Sequence, residues 1–243
     1  MHVAGFDTKL SAENDDCLVV GKHMQDEGLN PAILNMASAY RPGGGVMNGA
    51  RTQEECILRR SNLFMSLYQY DRQMYDLVIK PNEDGMYDLS FIQQGYPMDE
   101  NFGGIYSADV TVFKDGNYEW LYDPYQTAFL SVAAMNINRA LRQGEQILVD
   151  GRLSDRAVAI IKNMIRTIYR IGVLHGHDSL VLGAWGCGDF GNLSEQIAQL
   201  FVNVLNEDEF RGRYKDIRFA IIEDHNSRGR NYQTFKNVID KNA

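Results

Sequence analysis

Two stretches of this 243-residue chain combine ionisable side chains with glycines. The first runs Arg41-Pro42-Gly43-Gly44-Gly45 to Arg51-Thr52 and meets Gln53-Glu54-Glu55 at once. Neighbouring carboxylates at a helix start have two uses. They can answer the positive end of the helix, and Thr52-Gln53-Glu54-Glu55 matches the capping box in which Glu55 bonds back to the Thr52 N–H. Alternatively, one of them can give and take a proton for a bound substrate. Gly43, Gly44 and Gly45 permit φ > 0 and let the backbone come close to a flat or charged ligand, which Cβ atoms would prevent. Successive helical positions point about 100° apart, so Glu54 and Glu55 are expected to touch different parts of one ligand rather than act as an opposed acid and base. Taken singly, a glycine triplet is more often a surface loop and a Thr-x-x-Glu more often a cap.

The second stretch follows an apolar run, Ser179–Ala184. Trp185-Gly186-Cys187-Gly188-Asp189-Phe190-Gly191-Asn192 then leads into helical periodicity at Ile197, Leu200, Phe201, Val204 and Leu205. Strand, glycine loop and helix in that order put backbone N–H groups where a phosphate would sit. The spacing fits neither the P-loop nor G-x-G-x-x-G, which disfavours triphosphate hydrolysis and ordinary dinucleotide oxidoreduction. Cys187 reads equally as small packing or as chemistry. His175-Gly176-His177 reads as an exposed turn with no carboxylate cluster beside it, so no metal and no cofactor are expected. Glu223-Asp224-His225-Asn226 reads as a solvated strand end sooner than as part of a site.

The elements that must position these loops are visible in outline. Short strand-like runs occur at Cys17–Val20, Ala32–Met36, Gly104–Phe113, Phe129–Ala134, Ser179–Ala184 and Ile217–Ile222. Gln53–Tyr68 is expected to be helical, and Ala157, Ile161, Ile165, Ile168 and Ile171 trace one apolar helix face. Gly104–Tyr122 reads as an antiparallel ribbon or an irregular insertion, and 68–101 lacks periodicity and reads as a flap. Alternating strands and helices without a linker or repeat predict one domain over 1–243, a three-layer α/β fold with a mixed sheet.

Composition narrows the function classes. A formal charge of −8 argues against tracking a duplex DNA backbone. No apolar run is long enough to cross a bilayer, and the first residues lack the pattern of an export signal. The three cysteines, Cys17, Cys56 and Cys187, suggest neither a disulfide framework nor a zinc site. A monomer in a reducing cytoplasm is the expectation.

With its two motifs in place, the chain resembles the microbial-type poly(ADP-ribose) glycohydrolases, a branch of the macrodomain fold. The resemblance rests on Gly43-Gly44-Gly45 and Gln53-Glu54-Glu55, on Leu34-Asn35-Met36-Ala37-Ser38-Ala39 before them, on Ile105-Tyr106-Ser107 with Val110–Phe113, and on Leu182–Asn192. It implies an α/β/α macrodomain-like fold and cleavage of the ribose–ribose O-glycosidic bond to release ADP-ribose. Under it Glu55 is the catalytic acid and Glu54 orients ribose hydroxyls. Asn35, Gly43–Gly45 and Gln53 line the reacting side, while Gly186, Cys187, Gly188, Asp189 and Gly191 wrap a diphosphate and Phe190 packs on the distal ribose. Partners would be ADP-ribose, its polymer or an ADP-ribosylated protein. A mono-ADP-ribosyl hydrolase and a non-catalytic ADP-ribose reader are the rival expectations. Asp189 departs from the small or apolar residue usual there, so either it turns outward or it weakens diphosphate binding. Tyr68, Tyr70 and Tyr75 are candidates for stacking on adenine, although core or surface roles are commoner for tyrosines.

Overall fold

A chain that alternates short apolar runs with amphipathic stretches buries itself by laying helices on a sheet, and the computed structural model has that form. It describes residues 5–71, 95–223 and 230–242. Most of the expected flap, with Tyr75, and Asp224-His225-Asn226 therefore lie outside the described residues. Along the chain come β1 (Lys9–Glu13), α1 (Cys17–Asp26), β2 (Pro31–Ala37), α2 (Gln53–Arg60), α3 (Leu63–Tyr68), β3 (Ile105–Lys114) and β4 (Trp120–Ala133). Then follow α4 (Ile137–Arg142), β5 (Leu148–Val149), β6 (Arg152–Leu153), α5 (Asp155–Leu174), β7 (Ser179–Leu182), α6 (Ser194–Leu205), β8 (Asp216–Ala220) and α7 (Asn231–Ile239). Six strands form a mixed sheet in the order β1-β8-β7-β2-β4-β3, flanked by helices, and β5 and β6 form a separate pair.

The chain divides into two compact units, Met1–Leu34 with Ala134–Ala243, and Asn35–Ala133. In the first, β1, β8, β7 and the start of β2 pair in parallel. Its core is the one the helical periodicity predicts. Ala157, Ile161, Ile165, Ile168 and Ile171 of α5 are all buried, as are Ile197, Leu200, Phe201, Val204 and Leu205 of α6. Each large aliphatic side chain so buried contributes about 1.5–3 kcal/mol. Ser154 starts α5, its hydroxyl accepting from the Ala157 N–H at 3.3 Å. β7 runs straight into the second glycine loop, whose first residue, Trp185, packs edge-on against Phe201 of α6 with ring centroids 6.1 Å apart.

The second unit contains the end of β2, the helices α2 and α3, and the antiparallel ribbon β3–β4 with bulges between Ser107 and Val110 and between Val112 and Lys114. The ribbon is the first of the two forms expected for Gly104–Tyr122. Only the last half of β4, Thr127–Ala133, is buried, so the apolar run reveals the end of that strand and not its exposed beginning.

Two expectations are corrected. Cys17–Val20 is the first turn of α1, not a strand. Asp16 caps it, accepting from Leu18 N at 2.9 Å, and Cys17, Val20 and Met24 form one buried helical face. Four apolar residues cannot by themselves separate a strand from such a face. The helix expected over Gln53–Tyr68 breaks at Ser61, which is extended and bridges to Val112 of β3. β1 carries no apolar run and is held by pairing with β8.

Candidate functional site

Where β2 ends, the N–H groups there need acceptors, and the first two residues of α2 supply them. Gln53 Oε1 accepts from Met36 N at 2.8 Å, and Glu54 Oε2 accepts from Ser38 N at 2.8 Å. Asn35, fully buried on β2, directs its Nδ2 to Ser131 Oγ at 3.0 Å and to Glu54 Oε1 at 3.4 Å. Glu55 turns back. Its Oε2 accepts from the Thr52 N–H at 2.9 Å and from the Thr52 hydroxyl, and its Oε1 accepts from the Gly45 N–H at 2.9 Å. The capping box foreseen in the sequence is therefore formed. Arg59 secures the intervening loop from the next turn of α2, donating to Ala50 O at 2.6 Å and Val46 O at 3.3 Å.

The glycines meet the carboxylates themselves. A Cβ on Gly44, where φ is +52°, would lie 2.8 Å from Glu55 Oε1 and 2.9 Å from Glu54 Oε2. One on Gly43 would strike Leu58 Cδ1 at 2.8 Å. The close approach expected for a ligand is thus already required by the protein's own side chains. Glu54 and Glu55 also converge on one glycine instead of diverging. Side chains in a first helical turn lean toward the N-terminus, where the loop lies over them.

Both carboxyls are buried, yet their charges differ. Burial raises Glu54 to about 7 despite the donors from Ser38 and Asn35, and the Glu55 charge adds to the rise. Burial acts on Glu55 as well, but the Thr52 hydroxyl and the Gly45 and Thr52 N–H groups outweigh it and hold Glu55 below the ordinary carboxylate range. At neutral pH the ligand-free protein therefore carries an ionised Glu55 beside a Glu54 that is near its midpoint. Of the two, Glu54 is the carboxyl that titrates near neutrality, because Glu55 has the larger set of donors.

In the other unit, the loop after β7 is folded by its own bonds. Asn192 Nδ2 donates to Met135 O at 2.7 Å and to Gly186 O at 3.1 Å, and Asn192 N returns to Gly186 O at 3.0 Å. Asn138 of α4 holds the tip, donating Nδ2 to Asp189 O at 2.9 Å and its N–H to Phe190 O at 3.1 Å. The N–H groups of Gly188, Asp189 and Phe190 donate to no described residue. Three consecutive free donors suit an anion. Asp189 is exposed, as its outward alternative requires. Burial pushes the Cys187 thiol up to about 12, so it packs as a neutral group and does not act as a thiolate.

Asn35, Gln53, Glu54, Glu55 and the Gly43–Gly45 run come together within one unit, whereas Gly186–Gly191 belongs to the other. Sequence reasoning missed Ser38, whose role is carried by its backbone, and Asn138, which is 51 residues from the Asp189 it holds. His175 is exposed as expected, but His177 is buried, with Nδ1 3.0 Å from Asn30 O, and burial favours its neutral form. Tyr68 stacks on Phe64 at 5.6 Å. Among the described residues no cluster of His, Cys, Asp and Glu could hold a metal, and no helix is long and apolar enough to cross a membrane.

A mixed six-stranded α/β sheet with these loops is the macrodomain-like fold of the bacterial poly(ADP-ribose) glycohydrolases. The enzyme from Deinococcus radiodurans in complex with ADP-ribose matches with a TM-score of 0.76 and 22% identity, over 98% of this chain and 86% of that one. The enzyme from Thermomonospora curvata bound to the inhibitor ADP-HPD matches at 0.72 and 29%, over 94% and 78%. Another structure of the Thermomonospora curvata enzyme gives 0.75 and 29%, over 97% and 77%. Residues 2–115, which include the glycine triplet and Gln53-Glu54-Glu55, match the model of the family described as microbial-type PARG, catalytic domain. The resemblance read from the sequence holds. No significant match is found among curated proteins.

Proposed function

We propose that the protein hydrolyses the ribose–ribose O-glycosidic bond of poly(ADP-ribose) and releases ADP-ribose. The observation that carries this reading is the carboxyl pair over Gly44, within the family-matched stretch, in which one carboxyl titrates near neutrality while its neighbour is ionised. Neighbouring carboxyls with divergent proton affinities mark acid and base work. Glycoside cleavage needs a proton for the departing oxygen and an activated water for the sugar carbon.

In the proposed mechanism the pair shares a proton that sits on Glu54 when no ligand is bound and that is half dissociated near pH 7. The substrate's diphosphate adds negative charge, which favours protonation of Glu55 as well. Glu55 passes that proton to the departing ribose oxygen as the bond to the anomeric carbon breaks. Its carboxylate then takes a proton from the water that attacks this carbon, which restores Glu55. Glu54, fixed by Ser38 and Asn35, orients the ribose hydroxyls. Within its own unit, the loop after β7 offers the free N–H groups of Gly188, Asp189 and Phe190 to an anion.

A second reading has support from the capping box. Glu55 is fully occupied by Thr52 and Gly45, as it would be in a protein that binds ADP-ribose without cutting. Release of ADP-ribose from purified polymer, followed by chromatography, separates the two. Glu55→Gln should lower release by about 10²–10⁴-fold while ADP-ribose affinity changes little. Unchanged turnover in Glu55→Gln would refute the role of Glu55, and a wild-type protein that binds ADP-ribose but releases none would establish the reader.

A further inference from the structure

Tyr96 is 5% exposed, and its hydroxyl is buried without a hydrogen-bond partner. A hydroxyl left in that state is a net cost to the fold, so one normally finds an acceptor or is replaced by an apolar group. Its surroundings point to the carboxyl pair. The segment that carries it is tied down on both sides, by Tyr96 N to Tyr70 O at 3.1 Å and by Met98 N to Ala39 O at 2.8 Å. Ala39 follows Ser38, whose N–H holds Glu54. The charge of Glu54 is also felt at the Tyr96 ring, adding to burial in pushing its ionisation up, so Tyr96 stays a neutral donor at all working pH values. A second unused group lies in the same cluster, the buried Asn35 Oδ1, which accepts nothing. A donor and an acceptor, both dry and both unmatched around one carboxyl, complement a ligand rich in hydroxyls that can give and take hydrogen bonds.

We propose that the Tyr96 hydroxyl is a substrate-binding donor of the Glu54 site and recognises a sugar hydroxyl of the ligand. This rests on the functional reading given above and adds a residue to it. The ring supplies the buried wall and the hydroxyl supplies the recognition, so the group is retained at the expense of stability when the site is empty.

Tyr96→Phe tests the idea because a binding role and a structural role have different effects on the melting temperature of the ligand-free protein. If the hydroxyl serves the ligand, its loss leaves the melting temperature of the ligand-free protein unchanged or raised. ADP-ribose affinity by calorimetry then weakens about tenfold, and the KM for polymer rises more than kcat falls. A lowered melting temperature together with weaker binding would identify a structural hydroxyl and overturn the proposal. So would affinity within twofold of wild type. Failure of the wild-type protein itself to bind ADP-ribose would instead overturn the functional reading, and this inference with it.

Discussion

Replacing Glu54 by glutamine should make the protein more stable, and only where Glu54 would otherwise ionise. Burial moves this carboxyl from its usual 4.5 to about 7. Below pH 4.5 the side chain is protonated in both folded and unfolded chains, and the variant gains nothing. As pH rises from 4.5 the unfolded chain ionises while the folded one keeps its proton, so stability falls with increasing pH until the folded carboxyl ionises near 7. Beyond that the loss is complete, at about 3 kcal/mol for a displacement of this size. The substituted glutamine keeps an acceptor for the Ser38 N–H, and its amide can face Asn35 Oδ1, which lacks a donor, once the Asn35 amide turns over. Urea unfolding of both proteins at intervals between pH 4 and pH 8.5 should therefore give curves that coincide at the acid end. The variant should lead by about 2–3 kcal/mol at the alkaline end. A difference that is constant with pH, or largest in acid, would show that Glu54 is not the buried, proton-holding member of the pair.

Gly44→Ala should destabilise the protein by about 2 kcal/mol, from left-handed backbone strain and displaced carboxylates, and should abolish ADP-ribose release even at temperatures where the fold is intact. Thermal unfolding and polymer turnover measured together check this, and near-normal turnover would mean that Gly44 does not fix the carboxyl pair. Arg218 is buried between Asp216, at 2.9 Å, Glu13, at 3.6 Å, and Glu27, so Arg218→Met leaves buried Asp216 without its cation. The expected loss at pH 7 is about 3–5 kcal/mol. Arg218 lowers the Glu27 pKa, a stabilisation that disappears as pH falls through the carboxylate range, so the deficit in urea unfolding should narrow toward pH 3. A loss below about 1 kcal/mol at pH 7 would mark the cluster as electrostatically idle.

The long amphipathic helices were legible because their burial follows one period, and Ile161 to Ile171 or Ile197 to Leu205 lie where that period puts them. β1 was not legible, because Lys9–Glu13 has no apolar pattern and owes its form to β8. The ribbon was half legible, since a strand with only its last seven residues buried displays only those seven. At the site, the residues Asn35, Gln53, Glu54 and Glu55 could be named from their motif. Their charges could not, because which of two neighbouring glutamates keeps a proton depends on how many N–H groups the fold aims at each. Gly45 and Thr52 serve Glu55, and no local pattern encodes the Gly45 approach across ten positions. Asn138 was invisible for the same reason, since its partners lie in a distant loop.

From the motif alone, capping and chemistry are competing explanations of Glu55, and in the structure the ligand-free pair divides its charge, with Glu55 the capping anion and Glu54 the carboxyl that titrates near neutrality. A cap works best as an anion, whereas an acid must keep a proton, so under the proposed mechanism Glu55 caps α2 while no ligand is bound and takes up its proton only with the substrate. Glu55 is the anion that fixes Thr52, Gly45 and the start of α2. Glu54 is the one that stays protonatable. If Glu54 were needed only as an acceptor for the Ser38 N–H, a glutamine would do the same without the electrostatic cost of a buried carboxylate. A carboxyl kept where it weakens the fold above pH 4.5 is better explained by service to a ligand than by packing, and in the proposed mechanism that service is to hold ribose hydroxyls beside Glu55, so the pH dependence of Glu54→Gln bears on function alongside a turnover assay.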